Sequence, residues 1–322
     1  MAASNETQPL LSGNALFPSG WGVGLEPETG SFLNKQGLRI ASYLYRSKEP
    51  KIRGSVLCIH GYGCHWHWEF AACPRNVYEN SWIEHLNKAG YNVYGFDNQS
   101  HGNSEGLYGV RCYVERFQDF VEDALQMYYK MYEEEKGTNL FVLGVSMGGC
   151  VAAIAAEELD NSQSRLTGLV LVAPMLSLER VKKKPINRIL LPLSGCISSC
   201  WPTLAVGSKA ENEFFPEIKA ENDSDELNYH GKVRARVVTE FFSAVDRAVE
   251  SAHRIECPRL LLHSKIDTMT DPEGSQLFYD QSKDDGKKRL VWCEEYGHWH
   301  GLTKEPGNLR LAKIVSDWMD RL

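Results

Sequence analysis

Apolar residues in this chain fall into short continuous runs separated by stretches of helical spacing. The runs are Ser55–Ile59, Asn92–Phe96, Leu140–Val145, Gly168–Ala173, Arg259–His263 and Arg289–Cys293. Between them, Val77–Ala89, Val114–Glu135, Val237–Ala252, Pro272–Ser282 and Leu309–Leu322 suit amphipathic helices; in the second, Phe117, Val121, Leu125, Tyr128, Met131 and Tyr132 share one face. Strands that are apolar on both faces, alternating with helices, predict a mostly parallel central sheet covered on both sides, the α/β class. A hairpin precedes this rhythm, with Ser31–Leu33 and Leu38–Tyr45 joined by the turn Asn34-Lys35-Gln36-Gly37. The rhythm lapses from about Leu176 to Val245. That stretch holds a basic cluster (Arg180, Lys182, Lys183, Lys184) and an apolar run, Ile189–Val206, broken by Pro192, Gly195 and Pro202. An acidic patch, Glu221–Glu226, follows. It reads as a cap inserted over the sheet. The predicted organisation is a lead-in over 1–28 and one α/β domain over 29–322, with the cap at about 176–245.

One stretch carries a chemical signal. Leu140–Cys150 reads LFVLGVSMGGC, an apolar strand running through Gly144-Val145-Ser146-Met147-Gly148 into an Ala-rich segment that suits a helix. This is G-x-S-x-G in the strand–turn–helix setting it requires. A sharp turn there lifts a serine oxygen above the sheet edge and tolerates almost no side chain two residues to either side. It also leaves the Met147 N–H free to face a developing negative charge.

A serine hydroxyl needs a base, and the base needs an orienting group. In α/β sheets such partners sit just past the carboxyl ends of strands. Asp267 and Asp271 follow the run ending at His263; His298 and His300 follow the run ending at Cys293. The order Ser, Asp, His is that of α/β-hydrolases. Asp271 precedes Pro272 and suits an N-cap. His60, Cys64, His65, His67 and Cys73 match no metal-ligand spacing, so a metal is not expected, and acyl transfer through a serine needs no organic cofactor. Trp66, Trp68 and Phe70 are either core or the apolar wall of a pocket.

With these motifs, the chain from about Gly30 onward resembles the monoglyceride lipase and lysophospholipase branch of the serine α/β-hydrolases. The matching pieces are His60-Gly61-Tyr62-Gly63, His101-Gly102-Asn103-Ser104-Glu105-Gly106, Gly144–Gly149, Asp267 through Pro272, and Trp299-His300-Gly301-Leu302. The resemblance implies a Ser146–Asp267–His300 triad, selecting His300 over His298, with the backbone N–H groups of Tyr62 and Met147 as oxyanion donors. It implies hydrolysis of monoacylglycerol or lysophospholipid-type esters. Small caffeoyl-type esters, or ligand binding without turnover on a hydrolase fold, are the alternatives. Two positions depart from the branch: Val145, where it often has histidine, and Ser100, where a glycine usually precedes His-Gly.

Composition narrows the setting. The chain has 322 residues, 43% hydrophobic and 24% charged, and a net charge of -7 with no basic stripe, so nucleic acid is not an expected partner. The N-terminus lacks the basic and apolar blocks of a secretory signal, and no window is long and apolar enough to span a bilayer. The nine cysteines are scattered, as buried reduced thiols would be, with Cys196 and Cys200 expected as buried cap thiols. The expected location is cytoplasmic, with peripheral membrane contact through the cap left open.

Overall fold

A computed structural model describes residues 25–160, 166–183, 194–207, 212, 214–294 and 297–322. Most of the N-terminal lead-in, Lys184 of the basic cluster and the start of the apolar cap run lie outside the described residues. Eight strands form one sheet in the order β1-β2-β4-β3-β5-β6-β9-β10. They are β1 (Glu28–Leu33), β2 (Arg39–Tyr45), β3 (Gly54–Ile59), β4 (Tyr91–Phe96), β5 (Asn139–Val145), β6 (Gly168–Val172), β9 (Arg259–His263) and β10 (Lys288–Trp292). The β1/β2 and β2/β4 pairs are antiparallel and all others parallel. This is the mostly parallel α/β sheet the apolar runs imply.

The strands work as two-faced elements. On one face Leu57 and Ile59, Leu140 and Val142, Leu169 and Leu171, and Leu261 meet helices α3 (Phe117–Glu134), α4 (Met147–Asp160) and α7 (Ala235–Glu250). The alternate residues Val56 and Cys58, Phe141, Leu143 and Val145, Val170 and Val172, and Leu260 and Leu262 meet α1 (Trp66–Phe70), α2 (Trp82–Lys88) and α9 (Asn308–Met319). With each fully buried aliphatic side chain contributing roughly 1.5–3 kcal/mol, burial on both faces fixes the register. Val145 lies within the second core, so the departure there supports the sheet.

Helix starts differ from the spacing-based expectation. The stretch from Val77 does not enter a helix: Val77 bridges to Ala72, and Asn80 is left-handed at φ 59°. Ser81 then caps α2, its hydroxyl accepting from the Glu84 N–H (3.0 Å) while Glu84 accepts from the Asn80 N–H (2.8 Å). Val114 is buried but lies before α3; Arg116 is extended, and Asp119 accepts its N–H (3.2 Å) to start the helix at Phe117.

Between β6 and α7 the elements are short: α5 (Glu179–Lys183), a helix over 194–200, α6 (Pro216–Ser224), and the antiparallel pair β7 (Ala205–Gly207) and β8 (Val233–Arg234). Tertiary ties hold this segment to the loops after β3 and β4. The Tyr229 N–H donates to Gly63 O (2.9 Å), Arg111 donates to Gly102 O (2.6 Å) and Leu227 O (2.9 Å), and His65 Nε2 meets Asp225 (2.9 Å). The helix over 194–200 faces the domain through Ser198, 3.1 Å from Thr239. That orientation turns Cys196 and Cys200 outward; both are exposed, not the buried thiols expected, while six of the other seven cysteines are buried.

Candidate active site

The site is assembled from loops at the carboxyl ends of β3, β5, β9 and β10. Ser146 follows β5 and adopts φ 55°, a left-handed conformation that a non-glycine residue holds only under constraint. The constraint is visible. The Ser146 N–H donates to Val172 O (3.0 Å), and its carbonyl accepts from Met175 N–H (2.8 Å) and Gly149 N–H (3.0 Å). A Cβ on Gly144 would overlap the Gly148 carbonyl, and one on Gly148 would overlap those of Ile59 and His60. Both motif glycines are therefore demanded by close backbone approach.

The loop after β3 runs alongside. His60 Nε2 accepts the Asn98 N–H (2.9 Å), which leaves Nδ1 to donate to Gly61 O (2.7 Å) and ties this loop to the one after β4. A Cβ on Gly61 would stand 3.2 Å from Ser146 Cβ, so the loop packs directly against the serine. Among the described residues, neither the Tyr62 N–H nor the Met147 N–H has a protein acceptor. The Tyr62 side chain is fixed away from its amide: its hydroxyl donates to Cys112 O (3.0 Å) and its ring packs on His101 and Phe241.

Asp267 and His300 meet at 2.6 Å, with the His300 Nδ1–H donating to Asp267 Oδ2. Asp267 Oδ1 accepts the Met269 N–H (2.7 Å) and Thr270 N–H (3.0 Å), while Oδ2 also faces the Thr270 hydroxyl (2.9 Å) and His263 Nε2 (3.1 Å). Burial disfavours the Asp267 charge, but His300 and His263 outweigh it and hold the carboxyl well below the usual carboxylate range. For His300, burial opposes the imidazolium, yet the Asp267, Glu69 and Glu305 carboxylates prevail and raise its pKa. Glu305 also shapes the loop, accepting the backbone N–H groups of Trp299 (2.7 Å), His300 (2.9 Å) and Gly301 (2.6 Å). The His300 ring is therefore fixed both by its own nitrogen and by its backbone.

The remaining candidates separate cleanly. His298 is buried beside Glu305 (3.4 Å), and its carbonyl accepts the Ser264 hydroxyl (2.6 Å). Asp271 stands at the N-cap of α8 (Pro272–Gln281), but its side chain makes no capping bond. It accepts instead from the Arg180 N–H (2.8 Å) and the Ser177 hydroxyl (3.2 Å), because the segment after β6 brings these donors within reach. Trp66 is fully buried core, its indole N–H donating to Cys58 O (3.0 Å). Ser100 sits at φ 63°, which explains the glycine usual at that position. Its hydroxyl accepts the Tyr113 N–H (2.9 Å) and offsets a strain of roughly 1–2 kcal/mol. Sequence reasoning passed over Glu69, His263, Thr270 and Glu305, since isolated polar residues carry no periodic signal. A surface groove of about 460 Å³ lies between the β1–β2 turn and α3 and includes none of these residues.

An eight-stranded, mostly parallel sheet with a serine on a left-handed strand–helix turn defines the α/β-hydrolase class. The family model of serine aminopeptidase S33 hydrolases (Hydrolase_4) matches residues 50–307, and the chain belongs to that family. The rat monoglyceride lipase is 27% identical over 216 residues, covering 66% of this chain and 67% of its own length. The caffeoylshikimate esterase of Arabidopsis thaliana is 24% identical over 322 residues, covering 93% and 90%. The crystal structure of the Paleococcus ferrophilus monoacylglycerol lipase superposes with a TM-score of 0.68 at 25% identity, covering 87% of this chain and 98% of its own.

Proposed function

We propose that this ester hydrolase works through Ser146, His300 and Asp267, and that its substrates are monoacylglycerol-type esters. Ser146 Oγ attacks the ester carbonyl. His300 Nε2 takes the serine proton and returns it to the leaving alcohol, and Asp267 holds the ring in the tautomer with the proton on Nδ1. The Tyr62 and Met147 N–H groups receive the developing oxyanion, each such donor typically contributing roughly 3–4 kcal/mol in the transition state. Water then releases the acyl group by the same path in reverse. No step calls on a metal or an organic cofactor.

The observation that carries the proposal is the 2.6 Å Asp267–His300 pair in a domain whose serine is held at φ 55°. The monoglyceride lipases among the relatives support the substrate class. A second reading, small aromatic esters, draws on the caffeoylshikimate esterase match, which extends over 93% of this chain. Lysophospholipids belong to the first reading. Trp201, Leu204 and Val206, all exposed on the segment between β6 and α7, support this segment as a cap that meets a lipid surface. Among the described residues no helix is long and apolar enough to cross a membrane.

The deciding experiment labels the purified protein with a fluorophosphonate and measures turnover of monoacylglycerols, lysophospholipids and caffeoyl esters. Wild type is expected to be labelled and to prefer monoacylglycerols, and Ser146→Ala to lose both labelling and turnover. Ser146→Ala with wild-type turnover overturns the mechanism, and a wild-type protein that the fluorophosphonate fails to label and that turns over no ester points to a ligand-binding protein.

A further inference from the structure

Glu69, in α1, is a buried carboxylate with contacts to several parts of the site. One oxygen accepts the Gly61 N–H (3.2 Å) and lies 3.5 Å from the Cys64 thiol; the other accepts the Thr303 hydroxyl (2.7 Å). Gly61 adjoins Tyr62 and packs against Ser146, and Thr303 lies three residues beyond His300. A Cβ at Gly61 would stand 3.3 Å from the carboxylate and 3.2 Å from Ser146 Cβ. One side chain thus joins the loop after β3 to the loop after β10, across 234 residues of sequence.

We propose that Glu69 is a positioning residue of the hydrolytic site, which sets the Gly61–Tyr62 peptide for oxyanion binding and stabilises the His300 loop and its imidazolium. The proposal rests on the Ser146–His300 reading above. By accepting the Gly61 N–H, the carboxylate fixes the rotation of the backbone immediately before the Tyr62 donor. Three carboxylates act on His300: Asp267 in direct contact, Glu305 through the loop backbone, and Glu69 from α1. The titratable groups facing Glu69 are His300, Cys64, His60 and Lys304. Lys304 donates to Ala71 O and lies 4.9 Å over the Trp68 ring, and it feels the Glu69 charge without a direct hydrogen bond to it. The Glu69 charge acts on His300 as well as on Lys304 and His60, and so favours the imidazolium that forms during turnover.

Two isosteric variants separate the parts of this role. Glu69→Gln keeps the shape and can still accept the Gly61 N–H, with the Thr303 hydroxyl turning to accept from the amide, but it removes the charge. Thr303→Val keeps the charge and removes one hydrogen bond. For Glu69→Gln the expected result is a fall in kcat of about tenfold, KM within about threefold, and an acid limb of kcat/KM moved down by about half a pH unit. For Thr303→Val a smaller fall in kcat with an unmoved acid limb is expected. Thermal melts run alongside; if Glu69→Gln fails to fold, Thr303→Val decides alone. Wild-type kcat and acid limb in a folded Glu69→Gln, or wild-type kcat in Thr303→Val, overturn the proposal. A Ser146→Ala variant with full turnover would instead remove the hydrolytic reading on which it stands.

Discussion

Replacing Asp267 by asparagine tests the site where its geometry is most demanding. Asp267 Oδ1 receives two backbone N–H groups at 2.7 and 3.0 Å, and these cannot turn away. The amide nitrogen introduced by Asp267→Asn must therefore take the Oδ2 place, facing the Thr270 hydroxyl, His263 Nε2 and His300 Nδ1 at 2.9, 3.1 and 2.6 Å. The hydroxyl can rotate, but His300 can accept only by moving its proton to Nε2, the nitrogen that must be bare to act as base. The expected loss in kcat is about 10⁴-fold, the scale of a base held in the wrong tautomer. Removing a charge that two buried histidines surround costs about 3 kcal/mol as well, a drop of roughly 4–5 °C in melting midpoint for a chain of 322 residues. The assay is steady-state hydrolysis of a short-chain ester together with a thermal melt, and Asp271→Asn is the control. The Asp271 carboxylate serves Ser177 and Arg180, so its variant keeps kcat within about threefold. Asp267→Asn retaining kcat within about tenfold of wild type while still folded would refute the reasoning.

Two further outcomes follow from titration. His300 has its pKa raised in the folded protein, and only its neutral form can act as base, so kcat/KM rises with pH along a limb centred above 6.5 and is lost below it. A pH–rate profile with its acid limb at or below about pH 6 contradicts this. The same shift stabilises the fold at low pH, a contribution present below the unfolded pKa and lost as pH rises through the folded one. Asp123, in α3, is pushed up to about 7 by burial, against a usual value of 3.8. It therefore binds a proton more tightly folded than unfolded, and the fold loses stability as pH rises from about 4 through about 7. Asp123→Asn should flatten the melting midpoint over that window, as thermal melts at about pH 5 and pH 8 would measure; an unchanged slope refutes the assignment.

What could be read in the sequence divides along physical lines. Strands such as Leu140–Val145 were legible because burial on both faces leaves a continuous apolar run. Position after such runs made Ser146, Asp267, Asp271, His298 and His300 candidates, and the family resemblance, not position, singled out His300. The start of α2 was not, since Ser81 and Glu84 set it by capping while the apolar periodicity extends back to Val77. The segment between β6 and α7 was not, because single ties such as His65–Asp225 and Tyr229–Gly63 hold it in place of a repeating face. Cys196 and Cys200 turned outward for the same reason: spacing of four makes two residues share a face but does not say which way that face points. Glu69 shows how far this reaches into the site. In sequence it is one acid among aromatic residues, Trp66, Trp68 and Phe70. Only the packing of α1 against the loops after β3 and β10 brings its carboxylate between Gly61 and Thr303. The proposed reacting groups are marked by local backbone geometry, which leaves a motif. The groups that hold them together are marked by contacts between distant segments, which leave none, and Asp267→Asn and Glu69→Gln probe one member of each kind.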